Sequence, residues 1–187
     1  KRPGLITAAA GSTAEELIAA CGGMAEGHQF KAYLPGGASG GILPASKADI
    51  PLDFGGRLAE EGCFVGSHAV IILSDQDNVW QAAQNLMQFF AHESCGQCTP
   101  CRSGTDKAVE LMAAPCSDTD LLGELAVTMA DASICGLGQA APNPLLSAIK
   151  YFPKDMNQMD IIQGDIRQDE SVAAKAKSAG KRALGYE

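Results

Sequence analysis

Three cysteines stand at intervals of three residues in the segment ESCGQCTPCRSG. They are Cys95, Cys98 and Cys101, and thiolates spaced this closely suit a metal site, a redox dithiol or a disulfide knot. A tetrahedral metal site needs a fourth ligand. Two downstream cysteines, Cys116 and Cys135, are the candidates for that position.

Cys135 is the better candidate for the fourth ligand. It lies in ASICGLGQAAPNP, a turn rich in Gly and Pro that the pattern places between two predicted helices. Such a turn presents free backbone N–H groups and lets the chain approach a bulky ligand closely. Cys116 lies in AAPCSDTD, directly before a predicted helix, and we interpret it as a free thiol.

The three-plus-one spacing favours an iron–sulfur cluster. A C-x2-C-x2-C run can bind three irons of a [4Fe–4S] cube, and a remote fourth cysteine then closes the site. Structural zinc usually takes two separated pairs, and a thioredoxin-like dithiol needs one C-x2-C in a βαβ context. Zinc stays open as the alternative, and the chain would then be a zinc-stapled binding or assembly module without a redox role. Arg102 is a candidate to balance the negative charge of a cluster.

Composition limits the partners and the compartment. The formal net charge of -8 argues against a nucleic acid partner, because neutralising phosphates requires clustered Lys and Arg. The sequence contains no apolar run long enough to span a bilayer, so no direct membrane insertion is expected. Seven cysteines, an odd number without the framework spacing of secreted disulfide proteins, indicate a reducing compartment, and we expect the cytoplasm.

Residues 1–73 show the pattern of a small α+β domain. Two overlapping capping boxes in GSTAEEL predict a short helix that stops at Gly22 and Gly23. FKAYLP alternates with period two and predicts a half-buried strand, whereas HAVIIL has the length of a buried strand. PGGASGGILP lacks the Gly-Lys-Ser/Thr ending of a phosphate-binding loop and predicts a tight turn.

Residues 74–153 show the pattern of a helical domain. After SDQD, apolar residues recur at helix spacing and predict a first long helix. A second helix should start inside CTPC with Thr99 as its cap, and a third should start near Ser117. A fourth should begin at Pro144 and end at Pro153.

Residues 154–187 are polar and carry balanced charge, and we interpret them as a C-terminal tail. The predicted fold is therefore α+β, with a small β-grasp-like domain followed by a helical bundle that carries the cysteines. Cys21 and Cys63 lie far in sequence from the cysteine triplet and are expected to be small core residues.

Both motifs resemble a known family. ESCGQCTPCRSG followed by CGLGQAAPNP resembles the iron–sulfur region of the NADH- and FMN-binding subunit of respiratory complex I. The same subunit type occurs in NAD-reducing hydrogenases and NAD-dependent formate dehydrogenases, and GLGQAAPNP is most similar to that branch. KAYLPGGASGGILP resembles the soluble-ligand-binding β-grasp domain that precedes the iron–sulfur region in those subunits. The resemblance covers about residues 2–153, and the order of the motifs matches as well.

The resemblance implies that Cys95, Cys98, Cys101 and Cys135 hold a [4Fe–4S] cluster. In the family, this cluster takes electrons one at a time from the FMN that NADH reduces, and passes them to a neighbouring iron–sulfur subunit. The FMN and NAD(H) sites of the family lie in an N-terminal domain with a GRGGAGFPTG-type loop, which this sequence does not contain. We therefore expect the chain to be a C-terminal portion of the subunit, without catalytic residues of its own.

The same resemblance implies the partners and the location. A flavin- and NAD-binding domain or subunit should supply electrons, and neighbouring iron–sulfur subunits of a multisubunit complex should receive them. Such a complex is cytoplasmic or lies at the cytoplasmic side of a membrane.

Overall fold

A small antiparallel sheet organises the first part of the chain in the computed structural model, which describes residues 1–114 and 117–156. The sheet has three strands in the order β2-β1-β3, so that β1 is central and the other two are edges. The strands are β1 (Phe30–Leu34), β2 (Leu43–Pro44) and β3 (Ile71–Ser74).

The central strand is more deeply buried than its alternating sequence predicts. Ala32 pairs with Pro44 of β2 and with Leu73 of β3, and both Ala32 and Tyr33 are fully buried. The prediction of a half-buried strand is wrong for this end of β1, because neighbouring strands flank it and both of its faces are covered. The Tyr33 hydroxyl donates to the carbonyl of Lys47 at 2.9 Å, so the polar atom of this buried side chain has a hydrogen-bond partner.

The strand predicted in HAVIIL is less buried than predicted. The strand itself forms, as β3, but it lies at the edge of the sheet and Ile71 is 44% exposed. A short apolar run has no period that distinguishes a central strand from an edge strand.

The first helix forms where its capping signals predict it. Helix α1 (Ala14–Ala20) begins after Thr13, whose hydroxyl accepts from the N–H of Glu16 while the Glu16 carboxylate accepts from the N–H of Thr13. The helix ends just before Gly22 and Gly23, which have φ values of +86° and +80°. Only glycine adopts this left-handed conformation without strain.

Two short helical segments in the first part have no clear sequence signal. They are a 3-10 helix at Ala45–Lys47 and helix α2 (Gly56–Glu60), neither of which begins with a side-chain cap. Leu58 of α2 is buried in the same cluster as Tyr33, so packing against the sheet holds the helix in place.

Helices make up the second part of the chain. Helix α3 packs against α4 and α7, and α5 packs against α4, α6 and α7. These elements are α3 (Val79–Glu93), α4 (Thr99–Met112), α5 (Thr119–Ala132), α6 (Gly136–Ala140), α7 (Asn143–Tyr151) and α8 (Pro153–Met156).

Helix α3 buries the face that its periodicity predicts. Ala83, Met87 and Phe90 lie along one side and are each 5% exposed or less. On the same helix, the Trp80 indole donates to the carbonyl of Met112 at 3.3 Å, which ties the start of α3 to the end of α4.

The predicted starts of the next two helices need small corrections. The N-cap of α4 is Cys98 and not Thr99, which is the first helical residue. Helix α5 starts two residues after Ser117, because the Asp118 side chain accepts from the N–H groups of Asp120 and Leu121 and caps the helix there.

The segment after Cys135 differs most from its prediction. It was expected to be a turn, but residues Gly136–Ala140 form the short helix α6. The Gly-rich sequence has low intrinsic helix propensity, so packing against α4 and α5 must hold it. Helix α7 ends at its C-cap Phe152, and Pro153 begins α8.

The described residues Lys1–Met156 form one compact unit. The division into domains at residues 73 and 74 stays a prediction, as does the tail, of which residues 157–187 lie outside the described residues. Within the described part of the chain, none of the helices combines the length and apolarity that a bilayer span requires.

Candidate metal centre

The cysteine triplet lies between the end of α3 and the first turn of α4. Cys95 is exposed, Cys98 is half-buried, and Cys101, which is inside the first turn of α4, is 5% exposed. Gly96 has a φ of +74°, which lets the chain reverse between the first two cysteines. Cys98 occupies the N-cap of α4, where unpaired N–H groups and the positive end of the helix dipole favour a thiolate.

Ser94 and Arg102 fix the conformation of the turn. The Ser94 hydroxyl lies 3.3 Å from the Cys101 sulfur and accepts from the N–H of Gly96, also at 3.3 Å. The Arg102 guanidinium donates to the Gly96 carbonyl and, at 3.4 Å, to the Thr99 hydroxyl. These contacts position the three cysteines relative to one another before any ligand binds. The charge-balancing role of Arg102 stays a prediction.

The loop that carries Cys135 lies against the triplet. Cys135 is exposed at the N-cap of α6. The N–H of the preceding residue, Ile134, lies close enough to the Cys98 sulfur to lower the pKa of that thiol, with a smaller contribution from the N–H of Cys101. The Cys98 side chain nevertheless makes no regular capping bond to the first turn of α4. The fold thus brings the loop that carries Cys135, 34 positions beyond Cys101 in the chain, next to Cys98 and Cys101.

Gly138 allows this close approach. A Cβ atom at Gly138 would lie 2.4 Å from the Ser133 hydroxyl oxygen and 2.8 Å from the Cβ of Cys101. Real Cβ atoms do not approach other heavy atoms so closely, so only glycine lets α6 pack onto the start of α4 here. Ser133 itself is buried, and its hydroxyl has no hydrogen-bond partner among the described residues.

The candidate donors can be compared with what one ion and a cluster each require. Among the described residues, no group of three or more His, Cys, Asp or Glu side chains could hold one metal ion. A zinc site needs four ligands around one ion. The thiolates of a [4Fe–4S] cube bind four different irons and therefore stand farther apart. Soft thiols, nearby N–H groups and a buried unpaired hydroxyl are the donors that such an anionic group requires.

Two residues of the site escaped the sequence reasoning. Ser94, at the end of α3, and Ser133, at the end of α5, both lie beside cysteine sulfurs. A serine that follows a helix and precedes a glycine is a weak turn signal, and this could have drawn attention to Ser94. Nothing in the sequence distinguishes Ser133. Cys116, interpreted as a free thiol, lies outside the described residues.

A family comparison bears directly on this site. Residues 81–159 match the family model described as the NADH-ubiquinone oxidoreductase-F iron-sulfur binding region. These residues are therefore similar to that iron–sulfur region. The match includes the triplet and the Cys135 loop, and it confirms the resemblance inferred from the cysteine motifs.

Curated relatives extend the similarity beyond the iron–sulfur region. The NADH-quinone oxidoreductase F subunit of Streptomyces coelicolor is 35% identical over 162 residues, which are 83% of this chain and 36% of the relative. The NADP-reducing hydrogenase subunit HndC of Solidesulfovibrio fructosivorans is 33% identical over 159 residues, 81% of this chain and 32% of the relative. The chain thus spans about a third of the length of these relatives.

A solved structure shows a similar fold. A chain of an NAD+-reducing [NiFe]-hydrogenase in the H2-reduced state matches with a TM-score of 0.68 and 27% identity, over 79% of this chain and 26% of that one. This similarity confirms the mixed α and β class of the fold.

Proposed function

We propose that this chain transfers electrons through one [4Fe–4S] cluster held by Cys95, Cys98, Cys101 and Cys135. The observation that carries the proposal is the approach of the Cys135 loop to the triplet, with the N–H of Ile134 beside the Cys98 sulfur. This arrangement occurs in a segment that matches the model of an iron–sulfur binding region.

The protein supplies ligands, dipoles and partial exclusion of water. When bound, such a cluster accepts and releases single electrons. Cys101 is buried under α6, whereas Cys95 and Cys135 are exposed, so the site has a dry side and an open side. Backbone N–H groups beside Cys98 oppose the accumulated negative charge, and they do so without reorganisation because the helix start already holds them.

A one-electron carrier needs a donor and an acceptor close to it. We propose that a flavin- and NAD(H)-binding domain or subunit supplies one side of the transfer, and that a neighbouring iron–sulfur subunit supplies the other. The match to the iron–sulfur family model supports these two partners, and so does the open side of the site. The whole assembly would be an NAD(H)- and FMN-linked oxidoreductase of the complex I, hydrogenase or formate dehydrogenase type, located in the cytoplasm or at the cytoplasmic side of a membrane.

Residues 1–73 are proposed to be a β-grasp domain. In support, α1 and α2 each place a buried residue, Ala14 and Leu58, in the cluster around Tyr33 of the central strand. A small sheet with helices packed against it is the arrangement that a β-grasp domain requires. Its role would be to dock the helical part of the chain, residues 74–153, within the complex.

Metal analysis tests the proposal directly. The chain would be purified anaerobically, analysed for iron and zinc, and examined by low-temperature EPR after dithionite reduction. About four irons per chain and a fast-relaxing signal from the reduced protein are expected. Stoichiometric zinc without an EPR signal would instead establish the zinc-stapled assembly module and refute electron transfer.

A further inference from the structure

Ser133 is fixed at the end of α5 by its backbone. Its N–H donates to the Met129 carbonyl at 3.2 Å, and its own carbonyl accepts from the Gln139 side chain at 2.9 Å. The backbone of Ser133 is extended, with φ of -73° and ψ of 140°, because α5 ends here. The residue is 5% exposed, so its side chain has little access to bulk water.

Unlike the other buried hydroxyls of the described residues, the Ser133 hydroxyl has no hydrogen-bond partner. Thr105 donates to the Cys101 carbonyl at 2.8 Å, and Ser147 donates to the Asn143 carbonyl at 2.7 Å. Only the Ser133 hydroxyl, among buried side-chain polar atoms of this part of the chain, has no partner. Leaving a buried hydroxyl unpaired is unfavourable, so an apolar residue would be favoured here unless the hydroxyl had a further role.

The surroundings of this hydroxyl identify its missing partner. It lies beside the Cys98 sulfur without reaching regular hydrogen-bond geometry. A Cβ at Gly138 of α6 would lie 2.4 Å from this hydroxyl and 2.8 Å from the Cβ of Cys101, so the hydroxyl and Cys101 face the same side of the glycine. The Cys98 sulfur is thus an electron-rich group beside a hydroxyl that has no other partner among the described residues.

We propose that the Ser133 hydroxyl donates a hydrogen bond to the thiolate sulfur of Cys98 when that sulfur ligates the cluster, and that it raises the reduction potential. This inference rests on the function proposed above. One-electron reduction adds one negative charge and neither makes nor breaks a bond, so a donor aimed at a ligand sulfur stabilises the reduced form more than the oxidised form. Ser133 is then a positioning residue that acts through Cys98.

A potentiometric titration of the full chain, loaded with its cluster and followed by EPR with dithionite as the reductant, tests this inference. Ser133→Ala should shift the midpoint potential to a lower value, well beyond the scatter of repeat titrations. Ser147→Ala is the matched control, since it removes another buried hydroxyl whose partner is a carbonyl within α7. Its midpoint potential should equal that of the wild type. Ser133→Thr keeps the hydroxyl, and its midpoint potential should stay close to that of the wild type.

Each remaining outcome decides the question. An unchanged potential in loaded Ser133→Ala, or equal shifts in Ser133→Ala and Ser133→Thr, would overturn the inference while leaving the electron-transfer function intact. If Ser133→Ala binds no iron, the Ser133→Thr variant decides the question. A Ser133→Thr protein that binds iron and has the wild-type potential would support the role of the hydroxyl. A Ser133→Thr protein that binds no iron would show that only the size of the side chain matters. A wild-type chain that binds no iron would overturn both proposals.

Discussion

Asp155 and Lys31 form an ion pair at 2.7 Å that joins the C-terminal end of the described chain to the central strand. The same carboxylate oxygen accepts from the backbone N–H of Val79 at 2.7 Å, and the Asp155 carbonyl accepts from Asn78 at 3.0 Å. Asp155 is 6% exposed. One acidic side chain therefore ties α8, the start of α3 and β1 together.

Replacing Asp155 with Ala should destabilise the chain by about 3 kcal/mol. The change leaves the fully buried N–H of Val79 without an acceptor and removes the charged partner of the mostly buried Lys31 ammonium, which keeps only the Asp77 carbonyl. The free energy of unfolding in urea, followed by circular dichroism, measures the effect. Asp49→Ala is the matched control, because its pair with Arg57 is more than half exposed on both sides and should contribute less than about 1 kcal/mol. Equal losses in the two variants would contradict the assignment.

Glu61 makes the second long-range polar connection, between the end of α2 and α7. Its carboxylate accepts from Lys47, from Lys150 at 3.3 Å and from the Tyr151 hydroxyl. These hydrogen bonds, the one from Lys47 first and then the one from Tyr151, lower the pKa of Glu61 from its usual value near 4.5 to about 2.

The low pKa of Glu61 predicts a defined loss of stability in acid. The unfolded chain binds the proton more readily, so the contribution is complete above pH 4.5 and disappears as the pH falls towards about 2. The partners Lys47 and Lys150 are 30% and 54% exposed, so screening by solvent limits the contribution to about 1 kcal/mol. Urea unfolding at several pH values in this window should show a smaller decline for Glu61→Gln than for the wild type. Glu60→Gln, an exposed change on the same helix, should decline as the wild type does.

Most of the helices could be predicted from sequence because their signals are local. The Thr13–Glu16 capping box and the apolar face of α3 each specify an element within a few residues. The depth of burial in the sheet could not be predicted, because it depends on which strand is central. Tyr33 is buried because β1 is central and residues of other elements, among them Ala14 of α1 and Leu58 of α2, pack around it.

The site, like the fold, has some residues that could be predicted from sequence and others that could not. The spacing of the triplet and the Gly-rich Cys135 loop identify the candidate ligands, since both are properties of short segments. The roles of Ser94 and Ser133 depend on contacts with cysteines in other elements, and a serine at a helix end has the same local sequence signal whether it is exposed or buried. Helix α6 was missed because tertiary packing, rather than propensity, stabilises it.

Two glycines of α6 should respond oppositely to alanine. At Gly138 a Cβ would meet Ser133 and Cys101 at 2.8 Å or less, so Gly138→Ala should force α6 away and cost about 1–3 kcal/mol. At Gly136 a Cβ would meet nothing within 4 Å, so Gly136→Ala should be neutral or stabilise by up to about 1 kcal/mol. Urea unfolding and the iron content of both variants check this contrast. Similar behaviour of the two would show that α6 does not pack as described.

Substitution of single cysteines tests the ligand set. Cys135→Ser should abolish the cluster, because oxygen replaces the one thiolate that the α5–α6 loop contributes and the triplet alone binds three irons. Cys116→Ser should leave the iron content and the EPR signal unchanged. Cys21→Ser provides a second control, since Cys21 lies at the end of α1 in the first part of the chain and should also retain the cluster. Iron analysis of the three variants, purified anaerobically in parallel, measures the result.

Equal loss of iron from Cys135→Ser and Cys116→Ser would refute the assignment of the fourth ligand, whereas loss from Cys116→Ser alone would transfer that role to Cys116.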